Sequence, residues 1–311
     1  MSLMLQGTAA STNAVYAPRQ RKFADYCALR GIGPLPASEL ILLDYVGTLH
    51  SSGLSLGTCS GHLSAIRHLH VINGHPDPLV GGERLALVKR GASVNVSPPV
   101  LRAAITGCHI FAFLEHLNLY VYEDVAFYAM CCTGFFGFLR IAELTAPSSG
   151  FVPATCLTPS DLLWADDKII LTLKQSKTDK KREGVRVTLG ISPSAVCAFK
   201  ALKLYLDMRA RLLPHLHPAR SPLFVTQDGA PMSKAIFAKR LADLAALVGL
   251  LGKITPHSLR IGAATTAWRA GFTDSQIQKL GRWKSTSFKQ YLRTDTDSLA
   301  KLNALLGKQC T

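Results

Sequence analysis

The sequence predicts a mainly α fold with one small β-sheet, divided between a helical N-terminal domain and a larger mixed α/β domain. Three observations predict it. A length of 311 residues fits two ordinary domains better than one. The segment GASVNVSPPV at 91–100 mixes Gly, Ser, Asn and two prolines, and reads as a linker between stretches of helical periodicity. Two short β-type runs, KIILTLK at 168–174 and VRVTL at 185–189, flank the basic stretch QSKTDKKREG, which predicts a hairpin with a cationic tip.

The elements follow in order. Residues 1–16 are small and polar and predict a flexible lead. A helical domain is expected over 17–92. Its first helix runs from Arg19 and stops near Gly31, and its second covers Ala37–His50 with Ser38 near the start. A third spans Thr58–Ile72, where Leu63, Ile66, Leu69 and Ile72 form a stripe at spacings of three. A short fourth covers Glu83–Lys89. The larger domain is expected over 98–311, with helices around 101–117, 121–136, 192–211, 233–249, 257–270 and 274–280. The tail DSLAKLNALLGK carries Leu299, Leu302, Leu305 and Leu306 as an apolar face, which suits docking on a neighbouring subunit or on its own domain.

Composition narrows the function. With 48% hydrophobic and 18% charged residues the chain can bury a core, which excludes wholesale disorder. Lys and Arg number 35 against 20 Asp and Glu, a net charge of +15. That excess favours a polyanionic partner, with nucleic acid the first candidate. Up to Asn95 there are eight basic and five acidic residues, so +12 of the +15 lies in the later part. No apolar run is long enough to span a bilayer, and no membrane association is expected. The N-terminus lacks a cationic start followed by an apolar stretch, so no secretory signal is read there. Eight scattered cysteines without a CxxC pair predict reduced thiols in an intracellular protein, with no metal site.

Four features carry chemistry. In GFFGFLRIAEL, Arg140 precedes Glu143 by three residues; its planar fork matches two phosphate oxygens, although a surface ion pair has the same pattern. The hairpin tip brings Lys174, Lys177, Lys180, Lys181 and Arg182, a cationic loop able to enter a DNA groove or a plain solvated turn. In PHSLRIGAATTAWRAG, His257 and Arg260 share one helix face, so an imidazole can move a proton while a guanidinium neutralises phosphate oxygens. In LGRWKSTSFKQYLR, Tyr291 lies among Lys284, Lys289 and Arg293. A phenol has a reference pKa of about 10, so attack on phosphorus requires neighbouring cations or a base.

Taken in order (Arg, a hairpin Lys, His-x-x-Arg, Trp, then Tyr near the end), the series resembles the tyrosine recombinase (phage integrase) family over roughly residues 17 to 300. SKTD and LGRW look most like its eukaryotic transposon-type members, the cryptons and DIRS-like elements. The resemblance implies a core-binding domain and a catalytic domain that close on duplex DNA as a clamp. It implies that Arg140 and Arg260 hold the scissile phosphate, Lys177 protonates the departing 5′ oxygen, His257 moves protons and Glu143 supports the site. Lys174 and Lys180 are alternatives to Lys177. The family carries His or Trp ahead of the tyrosine; here Arg282 stands nine residues before Tyr291 and Trp283 eight, and Trp283 is favoured. Arg67, Lys174, Lys180, Lys181, Arg182, Arg282 and Lys284 are expected to contact DNA.

The implied function is site-specific recombination or integration through a 3′-phosphotyrosine, without cofactor. The implied partners are double-stranded DNA and further copies of the chain, as a tetramer on two sites. A nuclear location follows if the host is eukaryotic, and a cytoplasmic or nucleoid one otherwise. Two other readings use the same residues: an inert DNA-binding protein that kept the fold, and a type IB topoisomerase-like enzyme acting as a monomer.

Overall fold

In a computed structural model, which describes residues 7–94, 100–175 and 184–293, the chain divides into two compact units, Met1–Pro99 and Val100–Thr311.

The first unit is helical: α1 (Ala10–Ala28), α2 (Glu39–Ser51), α3 (Leu56–Ile72) and α4 (Glu83–Val94). Ser38 and Ser55 cap α2 and α3 by accepting from the backbone N–H of Ile41 and Thr58. Phe23, Leu42, Tyr45, Val46, Leu63 and Ile66 form its core. Helix α1 starts at Ala10, well before Arg19, and continues through Pro18. Local signals do not predict this, because a proline inside a helix removes a hydrogen bond. Tertiary contacts to α3 account for it: Gln20 donates to the Ala65 carbonyl at 3.0 Å, and the Tyr16 ring lies 5.2 Å from that of His68. His70 is fully buried, with its Nδ1 2.8 Å from the Ile66 carbonyl while its Nε2 accepts from Ala37 N–H.

The second unit contains α5 (Gly107–Phe113), α6 (Tyr122–Phe136), α7 (Ile141–Leu144), β1 (Leu162–Trp164), β2 (Lys168–Leu173), β3 (Val185–Gly190), α8 (Ala198–Leu212), α9 (Lys234–Leu247), α10 (His257–Arg269) and α11 (Asp274–Gly281). A 3₁₀ turn, Thr286–Tyr291, closes the described chain. Helix α6 is apolar nearly all round and therefore central, packing against α8 and α10. The sheet is antiparallel in the order β1-β2-β3, and Leu171 pairs with Leu162 and Val187. Ile169, Leu171 and Leu173 face the core at the two-residue period of a strand. The hairpin tip, 176–183, lies outside the described residues, as does the C-terminal tail.

The helix expected over 101–117 is shorter than the sequence implies. Residues 100–106 are not helical, and only Gly107–Phe113 is α-helical. The backbone of this segment bonds instead to the approach to α10 and to its first turn: Ala103 N–H donates to the Lys253 carbonyl and Ile105 N–H to that of Ser258, each at 3.0 Å. The approach is so close that a Cβ on Gly262 would stand 1.8 Å from the Ile105 carbonyl oxygen. Gly262→Ala is expected to destabilise the second unit by about 3 kcal/mol, the upper end for overpacking, because backbone must shift on one side. A urea midpoint unchanged from wild type would show that the entry segment is not held against α10.

Candidate active site

Helix α6 ends where Gly137 and Phe138 turn the chain, Phe138 in the left-handed region at φ 48°. The turn leaves the Gly137 and Phe138 carbonyls free to accept from cations, as the end of a helix favours. Arg282 Nη1 donates to Gly137 at 2.9 Å and its Nη2 to Phe138 at 3.2 Å, while Arg260 Nη1 also donates to Phe138. Arg260 further donates through Nη2 to the Gly281 carbonyl at the end of α11. One buried guanidinium thus ties the ends of two helices together. Arg282 holds the left-handed cap of α11 at φ 57°.

Glu143 organises the arginines. Its Oε1 accepts from Arg140 Nη1 at 3.0 Å, and its Oε2 accepts from Arg140 N–H at 2.9 Å and from Arg282 Nη2 at 3.1 Å. Its side chain is 6% exposed, so this carboxylate belongs to the interior, unlike the surface pair that the sequence also allowed. Arg140 stands at the N-cap of α7 with 25% of its side chain exposed, which leaves it open to a ligand while its backbone is fixed.

Arg260 is 1% exposed. Burial first, then the charges of Arg140 and Arg282, lower its guanidinium to about 9. It still carries its proton at neutral pH. Trp283 lies beneath it, with the Arg260 Cζ 4.4 Å from the ring centre, a cation–π contact. A Cβ on Gly281 would overlap that ring at 1.6 Å, so glycine is what admits the indole. Trp283 also meets Tyr291, their ring centres 5.7 Å apart.

His257 is the first residue of α10. Its ring centre lies 4.9 Å from that of Tyr291, edge to face at 74°. Burial lowers its pKa to about 4, and the nearby charges of Arg102, Arg260 and Arg140 add to the effect. The ring is therefore neutral at neutral pH, the form that accepts a proton. Tyr291 is half-buried at the end of the 3₁₀ turn, which Phe288 anchors in the core. Thr265 of α10 brackets the turn: its hydroxyl donates to the Tyr291 carbonyl at 3.0 Å and accepts from Arg293 N–H at 3.3 Å.

The fold thus brings together Arg140, Glu143, His257, Arg260, Trp283 and Tyr291, residues far apart in sequence. The remaining expected residues have different surroundings. Lys174 is not a free hairpin cation. Its Nζ pairs with Asp161 at 2.8 Å and donates to the Pro153 and Cys156 carbonyls, which fixes it to the loop before β1. Arg282 has 11% of its side chain exposed and is bound to Glu143 and two carbonyls. Arg67 is exposed on α3 of the first unit and pairs with Asp77 at 2.5 Å. Lys284 is exposed beside Trp283 in sequence. Lys177, Lys180, Lys181 and Arg182 lie outside the described residues. Sequence reading missed Arg102, whose charge reaches His257; no local motif marks it.

Residues 154–297 match the phage integrase family. Arg140 and Glu143 precede the matched span and join the site through geometry. The chain is 26% identical over 290 residues to the integrase/recombinase xerD homolog of Selenomonas ruminantium, covering 88% of this chain and 79% of that protein. Among solved structures it is similar to the Tn1549 transposon integrase in complex with transposon right end DNA, at TM-score 0.66 and 18% identity over 98% of this chain and 97% of that one. It is also similar to the XerH site-specific recombinase bound to difH substrate, at TM-score 0.61 and 19% identity over 95% and 79% of the two chains. At these identities the likeness to the solved structures is one of fold.

Proposed function

We propose that this protein is a DNA recombinase or integrase that cuts and rejoins strands through Tyr291. The observation that carries the reading is the juxtaposition of the Tyr291 ring with neutral His257 and with the Trp283 ring that underlies Arg260, in a chain whose residues 154–297 match the phage integrase family and whose relative is an integrase/recombinase. The Tyr291 Oη attacks phosphorus and its proton passes to His257. The bond from phosphorus to the 5′ oxygen breaks, leaving a 3′-phosphotyrosine and a 5′ hydroxyl. Arg140 and Arg260 hold the phosphate and offset the charge that gathers on its oxygens. Lys177 supplies the proton to the departing 5′ oxygen. Trp283 takes the position ahead of the tyrosine, because its ring touches both Arg260 and Tyr291 while Arg282 serves Glu143.

A 5′ hydroxyl from another strand reverses the attack, so the bond energy is retained in the covalent link and no ATP is consumed. Strand exchange requires four copies on two duplexes. The transposon-type assignment, and with it a nuclear setting, is carried by SKTD and LGRW alone. DNA affinity rests chiefly on phosphate contacts and falls steeply with salt.

The test uses a pool of nicked, mixed-sequence duplexes in which the leaving fragment diffuses away. Protein that remains attached to DNA after boiling in detergent supports the reading. DNA binding without any adduct would replace it with that of an inert DNA-binding protein.

The pH profile tests the histidine. A pKa lowered to about 4 means that His257 gains its proton only below that value, so the base stays competent through mildly acidic pH. Single-turnover adduct formation is expected to keep its rate as pH falls past 6.5 and to drop near pH 4. His257→Gln is expected to slow the step by roughly 10²-fold or more and to abolish that acid limb. An acid limb near the ordinary histidine value in the wild type would contradict this environment.

A further inference from the structure

The segment entering the second unit carries a cation that the mechanism above leaves unused. Arg102 pairs with Lys253 in a parallel bridge, just before α10 and His257. On its other side the Arg102 carbonyl accepts from Arg293 Nε at 3.5 Å, two residues beyond Tyr291. Its backbone is therefore stapled both to the approach to the histidine helix and to the turn that bears the tyrosine. Gly262 holds the segment from below through its contact with Ile105.

The side chain is placed differently from those of the other arginines. Arg260 and Arg282 are buried and spend donors on carbonyls, whereas Arg102 is exposed. Its guanidinium has no acidic or carbonyl partner among the described residues. It is nonetheless close enough to be the foremost charge acting on His257, ahead of Arg260 and Arg140. Lys253 beside it is exposed as well. A cation without an acidic neighbour, on a fixed backbone at the rim of a phosphate site, matches what a DNA backbone contact requires. The planar fork of arginine engages phosphate oxygens, and such contacts set the register of a protein on its duplex.

We propose that Arg102 is a further DNA-contacting residue of this site, binding a backbone phosphate of the strand held at Arg140 and Arg260. The inference rests on the recombinase reading and adds to it an exposed arginine, supplied by the entry segment. Arg102 binds and positions; it forms no bond to the reacting atoms.

The experiment measures binding of a fluorescent mixed-sequence duplex over a range of salt concentrations. It uses the full chain carrying Tyr291→Phe, so that binding is read without cutting. Arg102→Ala is expected to lower the slope of log affinity against log salt by about one, the signature of one lost phosphate contact, and Arg102→Lys to restore it. An unchanged slope in Arg102→Ala overturns the proposal. So does a changed slope that Lys fails to restore, since that marks a structural effect. The side chain is exposed and the segment is held through its backbone, so both variants are expected to fold. Adduct formation by the unmutated protein separates the two levels. If it forms adducts and the Arg102 slope does not move, only this proposal fails. If the chain neither binds DNA nor forms adducts, the recombinase reading fails and takes this one with it.

Discussion

Tyr291→Phe is expected to eliminate the covalent protein–DNA adduct altogether while leaving DNA affinity close to that of the wild type. The substitution removes one oxygen and keeps the ring. The ring contacts with His257 and Trp283, at 4.9 and 5.7 Å between centres, do not involve the hydroxyl and should persist. The backbone of the turn is held by Thr265 and Arg293, which the substitution does not touch. Loss of activity would therefore report chemistry rather than folding. Loss of a nucleophile is also not graded. Removing a stabilising group leaves residual rate, whereas without the phenolic oxygen there is no atom to form the link. Detergent-resistant adducts, separated by gel and digested to locate the modified residue, provide the measurement. Adducts that persist in Tyr291→Phe would mean that another residue attacks.

The second large effect concerns stability. Glu143→Ala is expected to destabilise the second unit by about 3–5 kcal/mol, the cost of leaving a buried cation without its counter-charge. Glu143 accepts from two guanidinium groups and one backbone N–H, and its side chain is 6% exposed. With the carboxylate gone, Arg282 at 11% exposure would sit near the positive charges of Arg140 and Arg260 with nothing to balance it. Glu143→Gln should cost less, since the amide oxygen can still accept from Arg140 N–H. The double variant Glu143→Ala/Arg282→Ala should lose less than the sum of the single ones, because the unpaired charge has been removed too. Chemical denaturation of the four proteins gives the cycle. A loss below about 1 kcal/mol in Glu143→Ala would indicate a pair screened like a surface salt bridge.

Much of the candidate site was legible in sequence because its signals are local. HSLR sets His257 and Arg260 on one turn of one helix, and the end of LGRWKSTSFKQY sets Tyr291 after a short connection. Arg140 and Glu143 lie within one helical turn of each other, so their pairing could be read from spacing. The hairpin was legible from two β-type runs, and β2 and β3 follow them closely. The third strand, β1, has three residues and no periodicity to reveal it.

What local signals could not decide were choices between partners distant in sequence. Whether 100–106 forms a helix depends on carbonyls at 253 and 258 that become neighbours only in the folded unit. The same contact makes Arg102 part of the site. Lys174 and Arg282 looked equivalent to other basic residues, because a charge in a sequence carries no sign of whether it is paired. Asp161 claims the first and Glu143 the second, from 13 and 139 positions away respectively. The sequence by itself therefore determined most of the helices and the two long strands, the excess of positive charge and the side chains suited to phosphate chemistry, since these depend on periodicity and residue type. Only the tertiary structure decided which cations are buried as struts and which stay open to a ligand, because burial and pairing arise from contacts that exist only once the chain has folded.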